Sequence, residues 1–231
     1  MSDFLEIFVK DHDVSGLTQY LTEQRRFDNL ALFDACDDGI HDISEVLIQF
    51  GADVNSVVVD QQTPLFIACL DAHPACVELL LAHGAIVSSL NSNNGVDELT
   101  PLMAAAYEDD YYYLIDNEIN ELVFNEFIQN RCLCIHLLLD AGAVIDQLDH
   151  EGETAIIHAS WNYQLVELLI DVAHADVNLH SVGQTSALHW ACVEPIDTKM
   201  MELLLAHGAD IGMNNYTFCL SALLRLYGTA K

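Results

Sequence analysis

Residues 63–85, TPLFIACLDAHPACVELLLAHGA, encode two helices that are each too short to stand alone. Thr63 is placed to cap the first, and Pro64 occupies its first position, where a missing N–H costs nothing. Leu65, Ala68 and Cys69 give that helix a narrow apolar face. His73-Pro74 interrupts the chain and restarts it, because proline suits a helix start and not a helix interior. Val77, Leu79, Leu80 and Leu81 make a more apolar second helix, and Gly84 stands where a left-handed residue ends it. Helices of two or three turns are marginal in water by themselves. A unit of this kind must lean on copies of itself.

The copies run along most of the chain. The Thr-Pro-Leu-x-x-Ala opening recurs at Thr100 to Ala105, and in altered form at Leu30 to Ala35, Thr154 to Ala159, Ser186 to Ala191 and Ser221 to Leu226. The Leu-Leu-Leu-x-x-Gly-Ala closing recurs at Leu137 to Ala143 and Leu203 to Ala209. Val46 to Ala52 and Leu168 to Ala175 are weaker versions, the latter with His174 in place of glycine. Successive alanines of the opening are separated by 33 (Ala35 to Ala68), 37 (to Ala105), 54 (to Ala159) and 32 residues (to Ala191). A period near 33 with this opening resembles the ankyrin repeat, over roughly Asn29 to the end. The resemblance implies an all-α solenoid of helix-turn-helix units joined by β-turn fingers. It implies one ankyrin-repeat domain over 1–231: an N-terminal cap at 3–26, repeats at 28–58, 59–94, 96–147, 148–180 and 181–214, and a C-terminal cap at 215–231.

The third repeat departs from the pattern. Residues 108–130 exceed what the turn between its helices needs, and Ile115, Ile119, Leu122, Val123, Phe127 and Ile128 recur at helical spacing while the acids fall elsewhere. The spacing predicts an inserted acidic amphipathic helix, either packed on the flank of the array or presented to a partner. The loop from Gly84 to Thr100 is also long, with turn chemistry at residues 91–95.

Charge narrows the class of partner. With 36 acidic and 7 basic residues the formal net charge is −29, and between Arg26 and Lys199 the only Lys or Arg is Arg131. Such a field repels nucleic acid and anionic membrane and attracts basic surfaces. The seven cysteines form no disulfide framework; Cys36, Cys69 and Cys192 each follow the repeat alanine and read as small core residues of a reducing compartment. No signal peptide or membrane span is legible, so a soluble monomer in a cytosol-like space is expected, with delivery into a host cell left open.

No catalytic motif is present: there is no phosphate loop, nucleophile elbow or H-E-x-x-H. Neither enzyme activity nor a cofactor is expected. Cys132-x-Cys134-x-His136 has metal-ligand residues, but on a helix Cys134 points away from the other two. His83 and His207 precede the closing glycine, where a ring can reach helix-end carbonyls. Tyr111 to Tyr113 follow acids and read either as packing aromatics or as a phosphorylation context. Asn55 and Asn178 fall where some ankyrin proteins are hydroxylated.

The resemblance implies binding through finger tips and the exposed side of the first helices, which line a concave groove. The corresponding positions are Asp37, Asp38, Asp60, Gln62, Asp71, Asp97, Tyr107, Glu108, His150, Glu151, Glu153, Trp161, Asn162, Gln184 and Glu194. Carboxylates attract Lys and Arg, and ring faces add places for a cation. Trp161 either faces a partner or folds onto the neighbouring helix. The expected function is a non-catalytic module, or scaffold, that holds a basic segment of a partner protein. The alternatives are an acidic inhibitor mimicking nucleic acid at a basic enzyme site, and a bacterial effector acting on a host protein.

Overall fold

The computed structural model describes residues 7–24, 29–58, 61–89, 98–107, 121–193 and 197–211. Regular structure there is helical, apart from a bridge residue at Leu99. The chain divides into two compact units, residues 1–105 with 129–143, and residues 106–128 with 144–231.

The first unit holds α1 (Val14–Gln24), α2 (Asn29–Asp37), α3 (His41–Gln49), α4 (Pro64–Leu70), α5 (Pro74–Ala82), α6 (Pro101–Ala106) up to Ala105, and α7 (Glu121–Asp140) from Gln129 on; Ala106 and residues 121–128 belong to the second. α2 packs on α4 and α3 on α5, so first helices stack on first helices and second on second. The local chemistry follows the sequence: Thr63 Oγ1 accepts the Phe66 N–H at 3.3 Å, and Thr100 Oγ1 accepts that of Met103 at 3.2 Å. α4 is buried along its whole length, including Leu65, Ala68 and Cys69. Burial makes α4 a helix of the interior, stabilised by packing rather than by propensity. Cys36, Cys69, Cys76 and Cys134 are fully buried free thiols. Cys36 and Cys76 meet beside Ser44, and this contact together with burial pushes the Cys36 thiol up. Burial also takes Cys134 up to about 12.

Repeats are locked to one another by polar brackets. His73 donates from Nε2 to the Asp37 carbonyl at 2.8 Å, with its ring laid against Gly39. Gly39 has φ +69°, and a Cβ there would come within 2.5 Å of the His73 ring, so only glycine fits. Asn55 donates from Nδ2 to the Gly84 carbonyl (3.1 Å) and accepts the Ile86 N–H (2.9 Å). Both ends of that side chain are thus engaged with the next repeat.

α7 differs from the sequence expectation in its continuity. The inserted segment from Glu121 runs without a break into the second helix of the third repeat, because ELVFNEFIQNRCLCIHLLLD contains no proline, glycine or competing cap. Residues 108–120, with Ile115, Ile119 and Tyr111 to Tyr113, lie outside the described residues. Of the expected apolar stripe, Ile128 is buried, whereas Leu122 is 73% and Val123 52% exposed. Arg131 holds the helix in place. Fully buried, it donates from Nη1 to the carbonyls of Ala104 (3.1 Å) and Ala105 (3.0 Å) and from Nη2 to that of Leu70 (3.0 Å). Leu70 ends α4, and Ala104 and Ala105 lie in the last turn of α6, where carbonyls lack intrahelical partners. One guanidinium caps two helix ends. Cys134 points inward while His136 is exposed, so the cysteine–histidine run cannot converge on an ion.

The second unit contains α8 (Ala155–His158), which continues as a 3-10 turn over Ala159–Trp161, then α9 (Tyr163–Asp171), α10 (Ala187–Ala191) and α11 (Thr198–Ala206). α8 packs on α10 and α9 on α11. Asn162 caps α9 by accepting the N–H groups of Gln164 (2.9 Å) and Leu165 (3.2 Å), and Asp197 caps α11 through Met200 (3.0 Å). Asn178 repeats the bracket of Asn55, donating to the Gly208 carbonyl (3.1 Å) and accepting the Asp210 N–H (2.7 Å). His174 takes the place of the closing glycine with φ +57°. His207 Nδ1 donates to the Leu203 carbonyl at 2.9 Å, ending α11 as its position implied. No described helix is long and apolar enough to cross a membrane.

Candidate interaction surface

Fingers precede the first helices and share one geometry. The N–H of Val58, Asp149 and Ser181 each donates to the carbonyl four residues on, at Gln62, Glu153 and Thr185 (3.1, 3.0 and 2.9 Å). Gln61, Gly152 and Gln184 occupy the same left-handed place within those turns (φ +62°, +76° and +60°). This repetition fixes which finger side chains reach water and which turn in. Asp60, Asp97, Glu108 and Glu194 lie outside the described residues.

In the first unit, Asp37 and Asp38 are exposed at the end of α2, and Asp71 is a half-buried residue at the end of α4. Gln62 is buried, at the closing position of its finger, and presents no side chain to a partner. These residues do not form a cluster with any convergent chemistry; they are an acidic edge.

The second unit assembles more. Trp161 is half-buried, and its Nε1–H donates to the Ala106 carbonyl at 2.8 Å. The indole therefore folds onto the chain leaving α6, with part of its ring still exposed. The next residue, Tyr107, lays its ring beside His158 with centroids 5.4 Å apart. His158, on α8, donates from Nε2 to Asp149 Oδ2 at 2.8 Å, and its Nδ1 lies 3.9 Å from Glu153 Oε2. Asp149 Oδ1 also accepts the N–H groups of Glu151 (2.9 Å) and Glu153 (2.7 Å), the turn chemistry expected of an aspartate opening a finger. His150 and Glu151 are exposed at the tip, and the Glu151 carbonyl accepts the Val182 N–H of the next finger at 2.7 Å. Gln184 is exposed, while Asn162 is committed to capping α9.

The electrostatics divide this pair of carboxylates. Burial alone would raise Asp149, but the His158 hydrogen bond and the two backbone donors outweigh it and hold the carboxyl below its ordinary value. Burial pushes Glu153 up, against the pull of His158, and Asp149 and Glu151 add to the rise. Asp149, Glu153 and His158 are also the one group of potential metal donors close together among the described residues. Their geometry is that of a flanked histidine, since the ring meets the two carboxylates with different nitrogens whose lone pairs diverge.

Sequence reasoning named Tyr107, Trp161, His150, Glu151 and Glu153 but missed Asp149 and His158. The signal for Asp149 was its Asp-x-x-Gly turn pattern; for His158 there was none, because its partners are set by the fold of the finger. Trp190, 47% exposed on α10, was also missed.

A family model of ankyrin repeats, in three copies, matches residues 3–91, 32–125 and 124–215. The chain belongs to the ankyrin-repeat family. It is 27% identical over 207 residues to human Ankyrin repeat and SOCS box protein 6, covering 86% of this chain and 42% of that protein. It is 25% identical to human Rabankyrin-5 over 82% of this chain and 14% of that protein, and 28% identical to the mouse B-cell lymphoma 3 protein homolog over 75% and 34%. The chain thus spans less than half the length of these ankyrin-repeat relatives. Ankyrin repeats are generally protein–protein interaction modules, typically non-catalytic.

Proposed function

We propose that this ankyrin chain captures a basic segment of a partner protein through acidic fingers and half-buried aromatic rings, without catalysis. One observation carries the reading. Between Arg26 and Lys199 the only Lys or Arg is Arg131, and Arg131 is fully buried on three carbonyls. The surface of that stretch therefore offers carboxylates with no lysine or arginine to balance them. Exposed His150 and Glu151, with Glu153, Tyr107 and Trp161 close by, supply the second unit's share of it. A cationic side chain gains from both carboxylate and ring face. Work in a reducing compartment is part of the proposal, supported by six free, mostly buried cysteines among the described residues.

The test is capture from a eukaryotic lysate at low and moderate salt, comparing the wild-type chain with the double variant His150→Lys, Glu151→Lys. Both residues are exposed, so lysines there leave the core intact while adding positive charge to the finger tip. Loss of a discrete basic protein from the captured set is expected; an unchanged set at both salt concentrations refutes the reading. A nucleic-acid mimic would use the same carboxylates and not the rings. Tyr107→Ala should therefore weaken capture of a peptide-like partner and leave a mimic's target bound.

A further inference from the structure

Asp149 and Glu153 flank one imidazole but are held there by unequal means. Asp149 is fixed by three donors, two backbone N–H groups and His158 Nε2–H. The Glu153 carboxylate reaches the other nitrogen at 3.9 Å, and its side chain is nonetheless only 17% exposed, against 8% for His158 and 3% for Asp149. Burial and its like-charged neighbours work against a charged Glu153, and His158 works for it. An inward carboxylate here thus depends on a proton at Nδ1. When the ring is neutral, Asp149 keeps the Nε2–H and Nδ1 turns a lone pair toward Glu153. The burial of a negative charge is then uncompensated, and the exposed tip of the same finger offers it water.

We propose that His158 is a proton-operated latch on this acidic finger: protonated, it holds Glu153 inward, and neutral, it releases that carboxylate to the surface where a cationic segment would bind. The consequence for binding rests on the proposed function; the latch itself does not. The ionisable groups around the ring are Asp149 and Glu153 from the finger, with Glu151 beside them, and Tyr107 from the chain after α6. α10, packed on α8, carries only His189; α9 carries Tyr163, Glu167 and Asp171, the first two hydrogen-bonded to each other. Histidine is the side chain whose ordinary charge change falls between about pH 5 and 8, where free carboxylates stay ionised.

NMR titration of the full chain from pH 5 to 8.5 tests it, following the Glu153 side-chain carboxyl carbon and the His158 ring nitrogens. The Glu153 signal is expected to move together with the His158 ring-nitrogen signals, and the ring titration to shift to lower pH in Glu153→Gln. A Glu153 signal that stays flat through the ring titration, or an unchanged midpoint in Glu153→Gln, overturns the latch. If His158→Gln fails to fold, the finger variant Glu153→Gln alone still decides. A fluorescent octalysine peptide at fixed ionic strength reads the consequence: its affinity should rise more between pH 5.5 and 8 in wild type than in Glu153→Gln. Equal rises refute release onto the binding surface. No octalysine binding at any pH refutes the basic-segment reading instead, while the NMR titration still decides the latch.

Discussion

Replacing Arg131 with methionine keeps much of the aliphatic bulk of α7 against its neighbours and removes only the guanidinium. Three carbonyls lose their donor: Leu70 at the end of α4, and Ala104 and Ala105 in the last turn of α6. Hydrogen bonds from a charged donor contribute about 1.5–3 kcal/mol each, and an orphaned buried acceptor costs about 1–3 kcal/mol. The three share one donor group and are not additive, so the simple sum overstates the effect. Methionine removes the charge together with the donors and leaves up to three neutral acceptors orphaned, so the expected loss is about 3–5 kcal/mol, the lower part of that sum. It takes a large share of a typical total stability of about 5–15 kcal/mol. At about 2–4 °C per kcal/mol for a chain of this size, Tm should fall by about 10 °C. Arg131→Lys should behave more like methionine than like wild type, because one ammonium lacks the planar fork that reaches two helix ends. Urea unfolding followed by far-ultraviolet circular dichroism gives the free energy, and amide exchange should rise first at the C-terminal turns of α4 and α6. If Arg131→Met unfolds within about 1 kcal/mol of wild type at unchanged m, the capping argument is wrong.

Other expectations follow from the same geometry. The Asp149 carboxyl is held below its ordinary 3.8, so its contribution is complete above that value and is lost as pH falls through the lower, folded one. The deficit of Asp149→Asn in urea unfolding should therefore be full at pH 7 and fade below about pH 4. Glu153 is raised from 4.5, the opposite sign: its cost is complete above the folded value and vanishes toward the ordinary one. Glu153→Gln should be at least as stable as wild type at pH 7, and Glu153→Gln less stable there would contradict the assignment. Gly39→Ala meets both a left-handed backbone and the His73 ring, whereas Gly84→Ala meets only the backbone, at φ +85° with open space around it. The second should cost about 1–2 kcal/mol and the first clearly more, measured by chemical denaturation. Asn55→Ala and Asn178→Ala each remove two hydrogen bonds to the following repeat and should each cost about 1–3 kcal/mol. Equal stability of either variant to wild type would show that the bracket is incidental.

The all-α repeat fold was written in the sequence, because its determinants are local. Thr63 and Thr100 cap where their openings place them, His207 closes its helix, and Cys36, Cys69 and Cys192 are buried after the repeat alanine. Periodicity alone carries that information, since each repeat solves the same burial problem. The continuity of α7 was not read from the sequence: the apolar spacing suggested a separate inserted helix, although no proline or glycine interrupts Glu121 to Asp140. What the sequence could not show was partnership across distance. Arg131 reads as a lone cation in an acidic chain, and only the packed helices bring the Leu70 carbonyl to it from 61 residues away. For Trp161 the sequence left open whether the ring faces a partner or folds inward, and the Ala106 carbonyl, 55 residues away, takes its N–H. His158 was one histidine among eleven until the finger turned Asp149 and Glu153 to its two nitrogens. Caps and periods are properties of neighbouring residues; a buried charge finds its counterpart only after the backbone has closed around it.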